Sequence, residues 1–226
     1  LQVSRLILGE FHDKEMLQDF KGGILRALCQ VQMDEFVLIC SEGVEDDTEN
    51  LFNCTGNIST IRLVDLKLKK IPEVPVWNKV KQLECKKCDF EEVPSQSLSF
   101  FKELRVLRIT QNSELRKFKK KFEGLSNLEV VDLSENRLTV SQCCSPKFQN
   151  CPNLKYLNLS FNSEIKLTGD FTNVKNLLYL DFQHTTLIGP GSYPVFLSLQ
   201  SLIYLDISHT KTEVKSQCTF CGLNSL

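Results

Sequence analysis

No sign of charge dominates this chain of 226 residues: Lys+Arg 27 stand against Asp+Glu 28, for a formal net charge of -1. Neutralising the phosphates of a nucleic acid takes a clear basic excess, so that class of partner is set aside. Long apolar runs are missing as well, and none approaches the about 20 residues a membrane helix needs. Leu1-Gln2-Val3 starts inside a pattern rather than in a leader with a basic head and an apolar body. No nucleophile elbow, phosphate-cradling glycine loop or His-x-x-x-His zinc pair is present. At 42% hydrophobic and 24% charged residues, the chain is expected to be soluble and to build a core.

Cysteine is the residue the chain has in plenty. There are 10, at 29, 40, 54, 85, 88, 143, 144, 151, 218 and 221. Three glycosylation sequons accompany them: Asn53-Cys54-Thr55, Asn57-Ile58-Ser59 and Asn158-Leu159-Ser160. Together they point to an oxidising, extracellular setting. The pairs Cys85/Cys88 and Cys218/Cys221 have zinc-like spacing.

Self-similarity organises the rest. Leu104-Arg-Val-Leu107-Arg-Ile109-Thr-Gln-Asn112 aligns with Leu128-Glu-Val-Val131-Asp-Leu133-Ser-Glu-Asn136 and with Leu154-Lys-Tyr-Leu157-Asn-Leu159-Ser-Phe-Asn162. Leu177 to Thr185 and Leu202 to Thr210 follow the same pattern. This is the leucine-rich repeat, L-x-x-L-x-L-x-x-N. Starts at 80, 104, 128, 154, 177, 202 and 226 lie 24, 24, 26, 23, 25 and 24 apart, with weaker copies near Ile58, Met33 and Val3. A second register runs beside it. Phe122, Phe148, Phe171, Phe196 and Phe220 each stand six residues before a start, and Trp77, Phe101, Leu125, Cys151, Val174, Leu199 and Leu223 stand three before.

The predicted fold class is α/β: a leucine-rich-repeat solenoid, or horseshoe, with a parallel concave β-sheet and an irregular, short-helical convex side. Each short strand sends its L-x-L side chains inward and alternate residues outward. The phenylalanine column packs beneath the returning segment. Asn112, Asn136 and Asn162 can donate to and accept from turn backbone that lies off any sheet. Thr185, Thr210 and Cys88 hold the same place and satisfy fewer groups, so local irregularity is expected there. No repeat buries its apolar face alone. Residues 1–226 are therefore expected to form a single array of about nine repeats, a fragment of a longer solenoid without its own caps.

The solenoid decides between readings of the chemical groups. The two Cys-x-x-Cys pairs lie five strands apart, roughly 24 Å at the strand spacing, and cannot share a zinc. Cys85, Cys88 and Cys151 read as buried small apolar residues, while a local Cys218–Cys221 disulfide is open. Asp181 and Asp206 are neighbours on the outward stripe that also holds Glu84, Arg108, Asp132 and Asn158. Two close carboxylates suit a metal-dependent hydrolase, but an open sheet has no pocket to perturb them, so a solvated stripe is the better reading. His184 and His209 precede the ladder residue, and a repeat turn accounts for both. Basic clusters (Lys67/Lys69/Lys70, Lys86/Lys87 and Arg116 to Lys121) follow three successive strands and so share one flank, which reads as an anion site or a solvated loop.

Several strings go beyond repeat consensus: Leu180-Asp-Phe-Gln-His184, Val195-Phe-Leu-Ser-Leu199, Leu202 to Thr210, Leu8-Gly-Glu-Phe11, Leu51-Phe-Asn-Cys54 and Cys143-Cys144. They resemble the central ectodomain of the Toll-like receptor family along the whole chain, with 58–125 diverging most from the mammalian pattern. The resemblance implies a non-enzymatic innate-immune receptor, the extracellular part of a single-pass type I cell-surface protein, without a cofactor. Its implied partners are a lipid-carrying β-cup co-receptor, myeloid differentiation protein 2 (lymphocyte antigen 96), lipopolysaccharide, and a second receptor. By position it implies disulfide cysteines at Cys29 and Cys54 and at Cys143 and Cys144, and a glycan at Asn57. Basic residues that meet lipid phosphates in mammalian members fall at His12, Asp89 and Ser113, each the tenth residue of its repeat, where this chain has lost the charge. Lys86 and Lys87 lie near Asp89, whose own carboxylate repels phosphate. The implied dimer surface holds Tyr193 and Leu197, with Gly189 and Lys211 where the family has polar contacts. The alternative is a structural or decoy extracellular repeat protein with a different ligand.

Overall fold

The computed structural model describes residues 28–32, 37–41, 59–65, 71, 75–88, 90–118, 120–143, 147–167, 171–188, 194–211 and 218–226. One β-strand per repeat builds the main sheet: β2 (Val37–Ser41), β3 (Thr60–Val64), β4 (Gln82–Lys86), β5 (Val106–Thr110), β6 (Val130–Asp132), β8 (Tyr156–Asn158), β10 (Tyr179–Asp181) and β12 (Tyr204–Asp206). They pair parallel, with Leu83, Leu107, Val131, Leu157, Leu180 and Leu205 opposite one another in successive strands. The columns follow from the repeat. The fourth residues Leu107, Val131, Leu157 and Leu180 are fully buried, and so are the sixth residues Ile109, Leu133 and Phe182.

The nine-stranded sheet is completed by β1 (Leu28–Gln32), and here the expectation of an all-parallel sheet needs correction. β1 runs antiparallel to β2, with Cys29 opposite Cys40. Residues 33–36 are too short a link for anything else, because a parallel neighbour needs a crossover of a dozen residues or more. The copy expected to start near Met33 is also shifted. Leu38 stands opposite Ile61, two residues later than that start requires. The copy near Val3 lies outside the described residues.

The opposite side is more regular than expected. β7 (Thr139–Cys143), β9 (Glu164–Leu167) and β11 (Thr186–Ile188) form a second, three-stranded parallel sheet. Single bridges from Glu92 to Lys117 and from Lys117 to Thr139 continue it into the earlier repeats. A short α1 (Ser95–Leu98) and 3-10 turns at Pro75–Lys79 and Thr172–Val174 make up the rest of the returning segments.

Between the two sides sits the aromatic column. Phe122, Phe148, Phe171 and Phe196 are buried, with Phe122 and Phe148 5.6 Å apart and Phe171 and Phe196 5.8 Å apart between ring centroids. Phe118 wedges against both members of the first pair, at 5.2 and 5.8 Å.

The turn after each strand repeats with equal regularity. Asp65, Lys87, Gln111, Glu135, Phe161, His184 and His209 all have positive φ, between 52 and 57°. They occupy the eighth residue of successive repeats, a left-handed conformation that costs non-glycine residues energy and persists only where surroundings enforce it. The enforcement is visible. The N–H of Lys87 donates to Thr110 O, that of Glu135 to Ser160 O, and that of His184 to Ser208 O.

The ninth residue then closes the ladder. Asn136 accepts from the Asn112 N–H at 2.8 Å and donates to Ile109 O at 2.7 Å and Leu133 O at 2.8 Å. Thr185 fills the same place with a hydroxyl that accepts from the Asn162 N–H at 3.2 Å and donates to Leu159 O at 3.0 Å. It makes fewer bonds, as expected. The irregularity does not follow, because the repeat-to-repeat links survive and the turn before it keeps φ 53.

Candidate functional site

The outward face of the main sheet changes character along the array. At its early end Arg62 Nε meets Glu84 Oε2 at 3.1 Å across β3 and β4. Further on, Glu129 pairs with Arg105 at 3.3 Å and Lys155 at 3.0 Å. Hydrogen bonding to Lys155 is the main reason the Glu129 carboxyl lies below its usual range. These pairs stand in water, where each stabilises by only about 0–1 kcal/mol. They mark a wet, mixed-charge surface.

At the late end the third and eighth columns of the same face are aromatic. Tyr156, Tyr179 and Tyr204 stack face to face, with centroids 4.2 and 4.3 Å apart. Phe161, His184 and His209 form a parallel stack at 4.7 and 4.4 Å. Between the two stacks run the fifth residues of each repeat, every one an acceptor for the N–H two residues on. Asp132 takes the Ser134 N–H at 3.0 Å, Asn158 that of Ser160 at 2.9 Å, Asp181 that of Gln183 at 2.8 Å and Asp206 that of Ser208 at 2.7 Å. A short side-chain acceptor suits that turn, which gives Asp and Asn a local reason to stand at these four places.

Asp181 and Asp206 are neighbours in register, as the sequence indicated. The solvated stripe expected for them holds only at Asp206. Asp181 is 8% exposed, lying beneath the stacked rings with the Tyr179 hydroxyl on its Oδ2 at 3.1 Å. Burial raises its pKa, whereas the Ser208 hydrogen bonds lower that of Asp206. No group of three or more His, Cys, Asp or Glu side chains that could hold a metal ion occurs among the described residues, so the hydrolase reading has no third ligand to build on. The aromatic stacks themselves escaped the sequence reading, although the alignment shows both. Tyrosine recurs at the third residue of three repeats, and Phe or His at the eighth.

The predicted flank residues are placed as follows. Lys86 ends β4 and is half-buried, and Lys87 is exposed with its Nζ 3.7 Å from Asp65. Ser113 is exposed on the turn after β5. Arg116 pairs with Glu114 at 3.2 Å, and Arg116 and Lys117 both donate backbone N–H groups to Glu91 O. The basic run is thus woven into the second ladder. His12 and Asp89 lie outside the described residues, as do Lys67, Lys69 and Lys70.

On the late returning segment, Leu197 is 50% exposed and Phe220 41% exposed, with Phe220 stacked on Phe196 at 6.0 Å. Cys218 and Cys221 form a disulfide, settling the alternative the spacing left open. The next residue, Gly222, has φ 95, and a Cβ there would meet Leu197 Cα at 2.5 Å. Only glycine lets that turn press against the Leu197 backbone. Lys211 is exposed, while Tyr193 and Gly189 lie outside the described residues.

Cys85, Cys88 and Cys151 are buried free thiols, as their columns require. Burial pushes the Cys85 thiol well up and that of Cys151 to about 12. Cys29 and Cys143 lie on β1 and β7, and their implied partners Cys54 and Cys144 fall outside the described residues, as do Asn53 and Asn57. Asn158, the third sequon, is half-buried on β8.

Comparison with known proteins places this geometry. The leucine rich repeat family model matches residues 102–162. Toll-like receptor 4 of Felis catus is 37% identical over 226 residues, covering 100% of this chain and 26% of the relative. That of Rattus norvegicus is 40% identical over 214 residues, covering 95% and 25%. The chain belongs with the leucine-rich repeats of the Toll-like receptors. It spans about a quarter of the length of the relatives it matches. Among solved structures, mouse RP105 in complex with MD-1 superposes with a TM-score of 0.70 at 29% identity, covering 78% of this chain and 30% of that one. The TLR13–ssRNA13 complex gives 0.64 at 22% identity over 74% of this chain and 24% of that one, and shows the fold alone. These Toll-like receptor relatives are receptors and not enzymes. No helix of the described residues is long and apolar enough to cross a membrane.

Proposed function

We propose that this chain is part of the cell-surface ectodomain of an innate-immune receptor, the extracellular portion of a single-pass type I membrane protein. In this reading it binds a small lipid-carrying co-receptor of the myeloid differentiation protein 2 kind and dimerises on a lipopolysaccharide-type ligand. The observation that carries the reading is identity to Toll-like receptor 4 along the whole chain. The likeness to RP105, solved together with MD-1, supports a co-receptor of that class. The co-receptor docks on the early repeats. The second receptor meets the late returning segment, where the exposed Leu197 supplies an apolar anchor and Lys211 stands nearby in sequence.

Two measurements test it. Mixed with purified myeloid differentiation protein 2, the chain is expected to co-elute in size-exclusion chromatography, and separate elution at micromolar concentrations refutes the co-receptor assignment. Tyr193→Ala is expected to weaken ligand-induced dimers in sedimentation while leaving co-receptor binding intact, and unchanged dimerisation removes Tyr193 from the interface.

One specific observation favours an altered ligand within the same reading. The places of the family's phosphate-binding basic residues hold His12, Asp89 and Ser113, and Lys87 already faces Asp65. Binding of hexa-acylated lipid A by receptor and co-receptor is then expected to show little salt dependence. A steep loss of affinity with salt contradicts it.

A further inference from the structure

Among the described residues, the outward face around β8, β10 and β12 is where the main sheet exposes large apolar side chains. Leu178 is 37% exposed, Ile203 64% and Tyr204 41%. The equivalent second residues one, two and three repeats before Leu178 are Lys155, Glu129 and Arg105, with Glu129 paired to both cations. A trough follows from the columns: tyrosine rings on one side, Phe161, His184 and His209 on the other, and Asp181 and Asp206 along the floor. Each carboxylate takes a tyrosine hydroxyl and a backbone N–H, and Asp206 also takes the Ser208 hydroxyl. Neither has an ion pair with Lys or Arg among the described residues, whereas Glu84 and Glu129 on the same sheet do.

Aromatic faces beside uncompensated carboxylates attract a cation, and a planar guanidinium answers both. It stacks on rings and donates paired N–H groups to carboxylate oxygens. The face is open and spread over three strands, so it cannot enclose a small molecule as a pocket does. We propose that this face docks a protein segment that lays an arginine in the trough between the two aromatic stacks and sets apolar neighbours on Leu178 and Ile203. The inference is independent of the co-receptor reading, which uses the early repeats, and of the dimer reading, which uses the returning segment around Leu197.

The test uses the 226-residue chain with ¹³C-labelled tyrosine and histidine, titrated with the peptide acetyl-Leu-Arg-Ile-Arg-Leu-amide. Its counterpart with citrulline in place of arginine keeps the shape and removes the charge. The arginine peptide is expected to shift the Tyr179, Tyr204 and His209 resonances saturably and to bind at least about fivefold more tightly than the citrulline peptide. Asp206→Asn is expected to remove most of that preference. It leaves the fold intact, because Asn158 already serves the equivalent turn with an amide. Tyr204→Ala is expected to weaken both peptides. Equal binding of the two peptides, an Asp206→Asn chain that keeps the preference, or no shift with millimolar arginine peptide each overturns the proposal.

Discussion

The early repeats around β3 and β4 and the late repeats around β10 and β12 share one backbone and present two different faces. Parallel register, the left-handed eighth residue and the buried inward columns are common to both. Outward, the early pair carries Arg62 against Glu84, and the late pair carries stacked tyrosines over carboxylates. The difference teaches that the interior and the turn set the solenoid, and that the sheet face is free to vary without disturbing it. A repeat array can therefore change what it binds one column at a time.

The largest expected effect breaks the part both regions share. Phe148→Ala removes a fully buried ring that touches Phe118 and Phe122, and should cost about 3–5 kcal/mol in denaturant unfolding. A loss under about 1 kcal/mol would show that the column is not continuous. Next comes the ladder. Asn136→Ala orphans the buried Asn112 N–H and the Ile109 carbonyl, while Leu133 O keeps Asn162, at about 2–4 kcal/mol. Thr185→Ala orphans only the Asn162 N–H, because Asn162 Nδ2 still reaches Leu159 O, and should cost about half as much. Equal losses at the two sites would mean that the extra asparagine bonds carry nothing.

The smallest effect sharpens the contrast between the adjacent carboxylates. Asp181 has a raised folded pKa, so its favourable contribution belongs to the protonated form. That contribution is complete below the unfolded carboxyl pKa and is lost as pH rises through the raised folded value. Asp181→Asn keeps an acceptor for the Gln183 N–H and removes the buried charge. The variant should melt slightly above the parent at neutral pH, with the gain shrinking as pH falls through the carboxylate range. Asp206 is lowered, so Asp206→Asn should lose a little at neutral pH and draw level in acid. Thermal melts of both variants at several pH values read this directly, and the same sign for both would refute the burial argument.

Much of this was legible in the chain. The inward columns, the phenylalanine stack, the ladder asparagines and the burial of Cys85, Cys88 and Cys151 all follow from spacing, because a fixed period places each residue type at one point of the coil. The antiparallel β1 was not, since the weak copy near Met33 masks a four-residue link whose shortness, not its pattern, decides direction. The second sheet was missed because its segments leave the strands after differing lengths: Glu92, Lys117, Thr139, Glu164 and Thr186 fall at drifting positions in their repeats. Asp181 and Asp206 look identical in sequence. Each has a tyrosine hydroxyl on it, and what separates them is that Asp181 lies between two paired strands and Asp206 on the last described strand.

Sequence alone determined the solenoid, its inward columns and its kinship with the Toll-like receptors, because periodicity is a local property that survives without knowing what neighbours do. Tertiary structure decided the rest: which carboxylate lost its water, which cysteines joined, where tyrosines became a stack, and how Gly222 came to rest on Leu197. All but the local Cys218–Cys221 bond depend on the distance between residues some 20 or more positions apart, which stacking sets and composition does not.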